Sequence, residues 1–251
     1  MKGVILAGGT GSRLDPITRV TNKQLLPVYN KPMIFYPIET MVNAGVTDVL
    51  IVTSGASAGD FLRLLGNGEA LGVRHLSFTY QEGAGGIAEA ISLARPFVGD
   101  DRMIVILGDN VIGGNIIEPA RRFAAQRQGA KVLLKEVENP SAYGVAELDG
   151  DRVVRFVEKP KDPPSNLAVT GIYFYDAQAF NLIERLDRSD RGELEVTDLN
   201  NAYLERGQMT HDVLDGYWAD CGESIDHYLQ ACNLVARHGA NRIGNDESLG
   251  P

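Results

Sequence analysis

A glycine-rich turn follows the first apolar stretch of the sequence. It reads LAGGTGSRL over residues 6–14, and Gly8, Gly9 and Gly11 allow the backbone to approach a ligand closely with N–H groups directed toward it. Phosphate oxygens suit such a turn. The lysine of a P-loop is missing, and Leu14 stands where the dinucleotide pattern needs its last glycine. The turn therefore predicts a nucleotide held in another way, with a plain tight turn as the alternative.

Two cations near this turn favour the phosphate interpretation. Arg13 lies at the end of the turn, and Lys23 follows it in the segment NKQLLPVYNKP. A guanidinium and an ammonium beside converging N–H groups would offset the charge of a triphosphate. Two solvated surface charges are the alternative, because most charged side chains in proteins are exposed.

Two aspartates are candidates for holding a divalent ion. Asp109 ends the apolar run MIVILGD, and open α/β sheets place ligand groups at such carboxyl ends of strands. Asp220 lies in the short segment WADCG. Two carboxylates that share Mg²⁺ with phosphate oxygens form a common site, although an aspartate at a strand end can instead cap a helix or a turn.

A competing motif predicts different chemistry. Residues 55–59 read GASAG, which fits G-x-S-x-G and follows the apolar stretch DVLIVT, as in the nucleophile elbow of a serine hydrolase. Ser57 would then need an acid and a histidine, and Asp198 with His211 or His227 follows it in the required order. Small residues in a strand-to-helix loop explain the match by chance.

Composition limits the class of protein. The chain has 251 residues, of which 44% are hydrophobic and 23% charged, so its length suits one large α/β domain or two small ones without disulfides. Its two cysteines, Cys221 and Cys232, match no zinc or redox spacing. The net charge of -9 counts against binding of nucleic acid, but a few cations can still hold a phosphorylated small molecule.

The hydrophobic pattern also predicts the compartment. The first apolar run is too short for a signal peptide and stops at glycines. No stretch reaches the about 18 apolar residues that a membrane span needs. We therefore expect a soluble cytoplasmic protein that has no membrane partner.

The elements that position these residues alternate between strand and helix. Strands are predicted over residues 2–7, 48–53, 76–80 and 103–107, and helices over residues 33–43, 60–65 and 87–94. This order implies a Rossmann-like three-layer α/β fold, in which a mostly parallel sheet carries helices on both faces. Closely spaced strands over residues 131–136, 144–148, 153–158 and 171–175 predict an antiparallel addition, with helices over residues 195–206 and 225–238.

Several segments together resemble the sugar nucleotidyltransferases. Beside the glycine turn and NKQLLPVYNKPMI, the sequence contains in the same order LGDN at residues 107–110, AYGVAEL at 142–148, VEKPKDPPSN at 157–166, AVTGIYFYD at 168–176, RGELEVTD at 191–198 and WADCG at 218–222. The resemblance covers roughly residues 1–236 and is strongest to the glucose-1-phosphate thymidylyltransferases. It implies the nucleotide-diphospho-sugar transferase fold and a homodimer or homotetramer.

The domain organisation follows from the same segments. We expect a single domain over residues 1–238, with a nucleotide-binding part over about 1–110 and a sugar-binding part over about 111–222. The tail over residues 239–251 lacks an apolar face and is expected to be mobile. The sequence ends before the last helical turns of longer family members, which shape a regulatory surface, so product feedback and assembly are expected to differ.

The resemblance implies roles for individual residues. Nucleotide contacts are expected from Leu6, Gly8, Gly9, Thr10, Gly11, Arg13, Gln24, Gln81, Gly86 and Asp109. Contacts to the sugar phosphate are expected from Asn110, Tyr143, Gly144, Glu158, Lys159, Val169 and Arg191. Asp109 and Asp220 would hold the Mg²⁺ cofactor, and the catalytic set would be Arg13, Lys23, Asp109 and Lys159. A surface salt bridge, worth about 0–1 kcal/mol, is the alternative for the Glu158–Lys159 pair.

The implied reaction joins dTTP to α-D-glucose-1-phosphate and releases pyrophosphate. UTP or another triphosphate, and a different hexose-1-phosphate, stay open as alternatives because residues 80–90 read YQEGAGGIAEA. This stretch has Ala84, Gly85 and Gly86 where the family typically has Pro-Asp-Gly, and Glu89 where it has glutamine. A non-catalytic relative is a further alternative, against which the presence of Lys159, Asp109 and Asp220 counts.

Overall fold

The computed structural model describes residues 1–243. The strands are β1 (Lys2–Ala7), β2 (Pro27–Val28), β3 (Lys31–Pro32), β4 (Asp48–Ser54), β5 (His75–Gln81), β6 (Met103–Leu107), β7 (Asn110–Ile112), β8 (Ala130–Glu136), β9 (Gly144–Asp149), β10 (Arg152–Glu158), β11 (Leu167–Tyr175), β12 (Met209–Val213) and β13 (Trp218–Asp220). The helices are α1 (Phe35–Asn43), α2 (Ala58–Leu65), α3 (Ile87–Ser92), α4 (Arg95–Val98), α5 (Ile117–Ala125), α6 (Gln178–Ile183), α7 (Val196–Glu205) and α8 (Ile225–His238).

The central sheet combines a parallel and an antiparallel part. Its strand order is β10-β9-β11-β6-β1-β4-β5, and β8 and β12 extend it beside β11. The neighbours β6, β1, β4 and β5 are parallel. Strand β11 runs antiparallel to β6 and to β8, and β9 and β10 form an antiparallel pair. The predicted mixed sheet with an antiparallel addition is therefore confirmed.

One strand joins the two parts of the sheet. The second half of β11 pairs with β6, while Ala168 in its first half pairs with Val145 of β9. Strand β8 pairs along the opposite edge of β11, with a shift of register between Val169 and Tyr173. Because β11 belongs to both parts, it fixes the antiparallel strands against the parallel ones.

Alternation along the buried strands divides the core into two layers. In β1, Val4 and Leu6 face one apolar cluster, and Ile5 and Ala7 face the other, as the two-residue period of a strand requires. The first cluster also contains side chains of α3, α4, α6 and α7, and the second contains side chains of α1, α2 and α5. The three-layer architecture predicted from the sequence is therefore confirmed.

Some element boundaries differ from the predicted ones. The first helix begins at Phe35 because the N–H groups of Met33 and Ile34 donate to carbonyls of the preceding turn. The helix expected over residues 87–94 is interrupted, and α4 starts anew at Arg95. The short strands β2, β3, β7, β12 and β13 and the helices α5 and α6 are absent from the sequence prediction. Ser224 caps α8, because its hydroxyl accepts from the N–H of His227 at 3.1 Å.

The chain remains attached to the fold beyond α8. Asn241 is buried, and its side chain donates to the carbonyl of Tyr36 at 2.9 Å and accepts from the hydroxyl of Thr40 at 2.8 Å. Its N–H donates to Ile112 at 2.9 Å. These bonds fasten residues 239–243 to α1 and β7, where the sequence predicts mobility. The rest of the predicted mobile tail, residues 244–251, lies outside the described residues.

The helices of the described part include none that is long and apolar enough to cross a membrane.

Candidate active site

A cleft of about 350 Å³ opens at the carboxyl ends of the parallel strands. Its volume lies in the range of small-molecule sites, and its position agrees with the general rule for open α/β sheets. Most of the predicted site residues line it: Leu6, Gly8, Gly9, Arg13, Lys23, Gln24, Gln81, Gly86, Asp109, Asn110, Tyr143, Gly144, Glu158, Lys159, Val169, Arg191 and Asp220. Residues from both the parallel and the antiparallel part thus meet around one space.

Thr10 and Gly11 are the two predicted residues that do not line the cleft. Gly11 adopts φ 65°, and a Cβ there would lie 2.9 Å from the side chain of Thr18. The hydroxyl of Thr18 donates to the carbonyl of Gly11 at 2.9 Å. Gly11 therefore builds the turn, whereas Gly8 and Gly9 face the ligand space.

Lys23 lies in a short turn that is hydrogen-bonded to the last residue of β1. Asn22 caps this turn by accepting the N–H of Gln24 at 2.9 Å, and it donates to the carbonyl of Ala7 at 3.3 Å. The Lys23 ammonium then reaches Asp109, with 2.5 Å between Nζ and Oδ2. A Cβ on Gly222 would lie within 2.7 Å of both side chains, so a larger residue there would have to displace the pair.

The charges at this pair do not balance. Burial raises the pKa of the Asp109 carboxyl, but the charge and hydrogen bond of Lys23 outweigh it, so this pKa lies below its ordinary value. Burial and the charge of Asp109 raise the pKa of Asp220 well above its ordinary value. Burial lowers the pKa of Lys23, but the charge and hydrogen bond of Asp109 prevail and raise it. One lysine therefore faces two carboxylates, and the site has room for further positive charge.

Arg13 is also engaged across the mouth of the cleft. Its Nη1 donates to Oε2 of Glu223 at 2.5 Å, and both residues line the cleft. The Arg13 side chain is 55% exposed and that of Glu223 is 23% exposed. Such an exposed ion pair is weak, about 0–1 kcal/mol, so an incoming phosphate group can replace the carboxylate.

One wall of the cleft contains two glutamines. Gln24 is almost fully buried, and its Nε2 donates to the carbonyl of Gly8 at 3.4 Å. The Oε1 of Gln24 is buried without a hydrogen-bond partner in residues 1–243. A buried acceptor without a partner is costly, so a ligand donor at this point would be favourable. Gln81 ends β5 nearby, and the apolar side chains of Val52 and Leu107 complete this wall.

The opposite wall holds the second lysine more loosely. Lys159 Nζ lies 3.9 Å from Oε1 of Glu158, and its side chain is 39% exposed. The backbone of Lys159 has φ 41°, a left-handed conformation that is unfavourable for a residue before proline. Its N–H donates to the carbonyl of Tyr143 at 3.1 Å, which holds the strained turn against the rim of the cleft.

Glutamates on this wall are held by neighbouring side chains. The hydroxyl of Thr197 donates to Oε2 of Glu158 at 2.6 Å, and Arg191 donates to Glu195 at 2.9 Å. Arg191 lies 3.8 Å from Glu158. Thr197 and Glu195 are not among the site residues predicted from the sequence. Both fall within the segment RGELEVTD, which is the signal that could have found them.

Asn110 connects the two walls beneath the cleft. Its Oδ1 accepts from the N–H of Gly171 at 3.0 Å and from Trp218 Nε1 at 2.6 Å, and its Nδ2 donates to Asp109 at 3.2 Å. Trp218 packs edge-on against Tyr143, with ring centroids 5.0 Å apart. The sequence predicts Asn110 as a sugar contact, whereas its amide is engaged by the chain itself. Gly171 and Trp218 are cleft residues that sequence reasoning missed.

The sequence around this cleft matches a known family. The profile of the family described as nucleotidyl transferase matches residues 2–238. The chain belongs to the nucleotidyl transferase family. A glucose-1-phosphate thymidylyltransferase of Neisseria meningitidis is 44% identical over 226 residues, which make up 88% of this chain and 78% of that protein. The protein of the same name from Mycolicibacterium smegmatis is 42% identical over 238 residues, or 94% of this chain and 82% of that protein.

Solved structures agree with this assignment. A structure from Bacillus anthracis, named as a candidate glucose-1-phosphate thymidylyltransferase in complex with sucrose, has a TM-score of 0.91 and 45% identity, and 98% of each chain is covered. A UDP-glucose pyrophosphorylase solved with UDP-glucose has a TM-score of 0.81 and 26% identity, with 94% of this chain and 98% of that chain covered. Both share the fold of this nucleotidyl transferase.

The residues fit the Mg²⁺ that the family resemblance implies. Asp109 is buried and Asp220 is partly buried, and the single Lys23 leaves one of their charges uncompensated. Within residues 1–243, no group of three or more His, Cys, Asp and Glu side chains forms a metal cage. A hard cation here would therefore take its remaining ligands from substrate oxygens and water, as Mg²⁺ commonly does.

The hydrolase alternative finds no support in the nucleotidyl transferase fold. Ser57 lies outside the cleft lining, and within residues 1–243 its hydroxyl makes no hydrogen bond to a histidine. The ring of His227 contacts Ser224, and His211 lies on β12 at the edge of the sheet. The G-x-S-x-G match is thus a strand-to-helix loop of small residues.

Proposed function

We propose that this nucleotidyl transferase moves the thymidylyl group of dTTP to α-D-glucose-1-phosphate, giving dTDP-glucose and pyrophosphate. The observation that carries the proposal is the arrangement of cations around one cleft. Arg13 and Lys23 line its nucleotide side, and Lys159 and Arg191 line its sugar side. Relatives that are 42–44% identical over most of the chain carry the name of this reaction.

The proposed reaction needs no general base. A phosphate oxygen of the sugar phosphate is already ionised at neutral pH and attacks the α-phosphorus of the triphosphate, from which pyrophosphate leaves. The main obstacle is repulsion between the two polyanions. Lys159 on one side and Lys23 with Arg13 on the other reduce this repulsion and stabilise the charge of the transition state. Positioning of the two substrates in one cleft can contribute about 7–11 kcal/mol.

Asp109 and Asp220 are the proposed holders of Mg²⁺. When bound, the ion would neutralise phosphate charge and help to orient the reacting groups. The role of the chain is to keep both carboxylates at the carboxyl ends of β6 and β13, with Lys23 Nζ 2.5 Å from Asp109. We further propose a homodimer or homotetramer in the cytoplasm, without nucleic-acid or membrane partners.

A second candidate substrate pair deserves testing beside the first. UDP-glucose pyrophosphorylase shares the fold at 26% identity. The loop that follows β5, which we propose to contact the base, contains Ala84, Gly85 and Gly86. UTP or another triphosphate, with a different hexose-1-phosphate, is therefore the alternative.

A panel of substrates tests the proposal. dTTP, UTP, CTP, ATP and GTP are each combined with several hexose-1-phosphates and Mg²⁺, and release of pyrophosphate is measured. We expect the highest kcat/KM for dTTP with glucose-1-phosphate. Nucleotide binding without pyrophosphate release from any pair would contradict an enzymatic role and favour a binding protein.

Two variants complete this experiment. Asp220→Asn should raise the Mg²⁺ concentration needed for half-maximal activity, because one carboxylate of the proposed site is lost. Ser57→Ala is the matched control and should behave as the wild-type protein. Loss of activity in the Ser57 variant, together with hydrolysis of a nitrophenyl ester by the wild-type protein, would support the hydrolase instead.

A further inference from the structure

The side-chain amide of Asn110 has a fixed orientation between the two walls of the cleft. Its oxygen accepts the backbone N–H of Gly171 at 3.0 Å and the indole N–H of Trp218 at 2.6 Å. Both partners can only donate hydrogen bonds, so the oxygen must lie on their side and the NH₂ group on the other. The nitrogen donates to Oδ1 of Asp109 at 3.2 Å. The three partners together determine the direction of the amide.

The two oxygens of the Asp109 carboxylate have different partners. Oδ1 accepts from the Asn110 amide, and Oδ2 lies 2.5 Å from Nζ of Lys23. Asp109 is 6% exposed and Asn110 is 3% exposed, so water competes little for these hydrogen bonds. Because the amide holds one oxygen, rotation of the carboxylate is restricted. Asn110 thus keeps the other oxygen on the side of Lys23, which lines the cleft.

The oxygen of the same amide holds the Trp218 ring. Strand β13 pairs with β7 so that Asp220 lies opposite Asn110, and Trp218 shares one face of β13 with Asp220 because the two are two residues apart. The ring packs edge-on against Tyr143, with centroids 5.0 Å apart. A buried indole N–H needs an acceptor, which Asn110 supplies. The position of the Trp218 ring in the cleft wall therefore depends on Asn110.

The amide oxygen of Asn110 is fully engaged by the chain. Its two lone pairs accept from Gly171 and Trp218, so it cannot also accept from a hydroxyl group of a substrate. A Cβ on Gly171 would lie 2.7 Å from both terminal atoms of the amide, which shows how closely the amide lies against β11. These contacts indicate a residue that acts on its neighbours in the cleft.

We infer that Asn110 is a positioning residue for both sides of the cleft: its nitrogen orients Asp109 toward the reacting phosphates, and its oxygen holds Trp218 in the sugar-side wall. This inference rests on the proposed nucleotidyl transfer. Replacing a residue that orients metal ligands typically changes metal affinity or activity about 10–100-fold. The family resemblance instead implies a direct contact between Asn110 and the sugar phosphate, and the two roles predict different results.

The first measurement uses the fluorescence of Trp218, the only tryptophan of the chain. In protein without substrates and Mg²⁺, Asn110→Ala should shift the emission to longer wavelength, because the ring loses its acceptor and becomes more exposed to water. Asn110→Asp retains an acceptor oxygen of the same shape, so its emission should equal that of wild-type protein. A role in direct substrate contact alone would leave the emission unchanged in both variants.

Steady-state kinetics separate the two ends of the amide. Asn110→Ala should lower kcat and raise the KM for the hexose-1-phosphate, each about tenfold, as for loss of one oriented hydrogen bond. Trp218→Phe keeps an aromatic ring but removes the indole N–H, so the KM should rise while kcat falls much less. In the double variant, the KM should be no higher than in Asn110→Ala alone, because both changes break the same hydrogen bond.

Two further variants keep the test decisive. Asn181→Asp is the matched control: Asn181 accepts from Arg95 at 3.0 Å outside the cleft lining, so its emission, kcat and KM should equal those of wild-type protein. The unfolding temperature of each variant is measured. If Asn110→Ala does not fold, Asn110→Asp still tests the nitrogen, because it preserves the acceptor for Gly171 but offers Asp109 no N–H. Its kcat should fall about tenfold at an unchanged KM for the hexose-1-phosphate.

The outcomes separate the inference from the proposed function. Wild-type protein that releases no pyrophosphate would contradict the proposed function, whereas the emission measurement needs no turnover. Unchanged emission in Asn110→Ala would overturn the role of Asn110 at Trp218. An additive rise of the KM in the double variant would likewise overturn it and favour a direct contact with the sugar phosphate. An unchanged kcat in both Asn110 variants would overturn the orientation of Asp109 by the amide.

Discussion

Two lysine–aspartate pairs lie at opposite ends of the parallel strands and differ in the charges around them. At the amino ends, Lys2 of β1 and Asp48 of β4 are 2.9 Å apart from Nζ to Oδ2. At the carboxyl ends, the corresponding distance between Lys23 and Asp109 is 2.5 Å. The two contacts look alike, but only the second borders a cleft.

In the pair at the amino ends, the Asp48 carboxylate is surrounded by hydrogen-bond donors. Asp48 accepts hydrogen bonds from Lys2, from the ring of His75 and from Arg74, and these hold the pKa of its carboxyl well below the usual range. At the carboxyl ends, by contrast, Lys23 alone faces Asp109 and Asp220, and the pKa of Asp220 is raised. A balanced carboxylate stabilises the fold, whereas an unbalanced one is suited to a ligand that brings positive charge.

The largest expected effect comes from breaking the unbalanced pair. Lys23→Met should lower kcat/KM about 10²–10³-fold, the cost of losing one group that stabilises transition-state charge. Lys2→Met, the equivalent change at the other end of the sheet, should leave activity unchanged. Steady-state release of pyrophosphate measures both. Equal losses in the two variants would show that the difference between the ends is irrelevant to function.

The sugar-side lysine should have the next largest effect. Lys159 has only a 3.9 Å contact with Glu158, so its charge is available to a substrate phosphate. Lys159→Ala should lower kcat/KM about 10–100-fold, mostly through a higher KM for the hexose-1-phosphate. Lys161→Ala, an exposed lysine outside the cleft lining, is the control. A larger rise in the KM for the triphosphate would assign Lys159 to the other substrate.

The Lys2–Asp48 pair should contribute to the stability of the fold rather than to activity. Asp48→Asn should lower the free energy of unfolding at pH 7 by about 1–2 kcal/mol. Because the pKa of Asp48 is lower in the folded state, its stabilisation is complete above about pH 4, the unfolded value, and is lost as the pH falls toward the folded value. The difference in the free energy of unfolding between wild-type protein and the Asp48 variant, measured by urea unfolding, should therefore decrease at acidic pH. A difference that grows on acidification would disprove the assignment.

The smallest effect concerns Arg13. Its exposed pair with Glu223 is worth about 0–1 kcal/mol, so Glu223→Gln should lower the KM for the triphosphate by up to about fivefold. Glu118→Gln, which breaks an exposed pair with Arg121 on α5, is a matched control. The prediction fails when the Glu223 variant binds the triphosphate more weakly than wild-type protein.

The sequence predicts those parts of the site that local pattern encodes. Asp109 ends an apolar run, and Gly8 and Gly9 follow one. Strand ends and a tight turn near a ligand could therefore be predicted from the sequence. The parallel strands could be predicted for the same reason, because each is a short apolar run. Glycine content alone does not separate Gly11, which builds the turn, from its neighbours, which face the cleft.

Contacts between distant segments could not be predicted in this way. Asn110 meets Gly171 and Trp218 only after β11 and β13 have packed against β7 and its neighbours. Glu89 and Arg188 likewise approach each other from segments far apart in the chain. Nothing in their local spacing indicates a partner, because the sheet topology determines which loops come together.

The shared strand β11 has a consequence for how the enzyme moves. It pairs with β6 through one half and with β9 through the other, and Val169, Gly171 and Tyr173 along it line the cleft. Rotation of one wall against the other would break the pairing of β11 on one of its sides and the hydrogen bonds of Asn110. We therefore expect substrate entry to depend on movement of the loops at the rim of the cleft rather than on rotation of two lobes against each other.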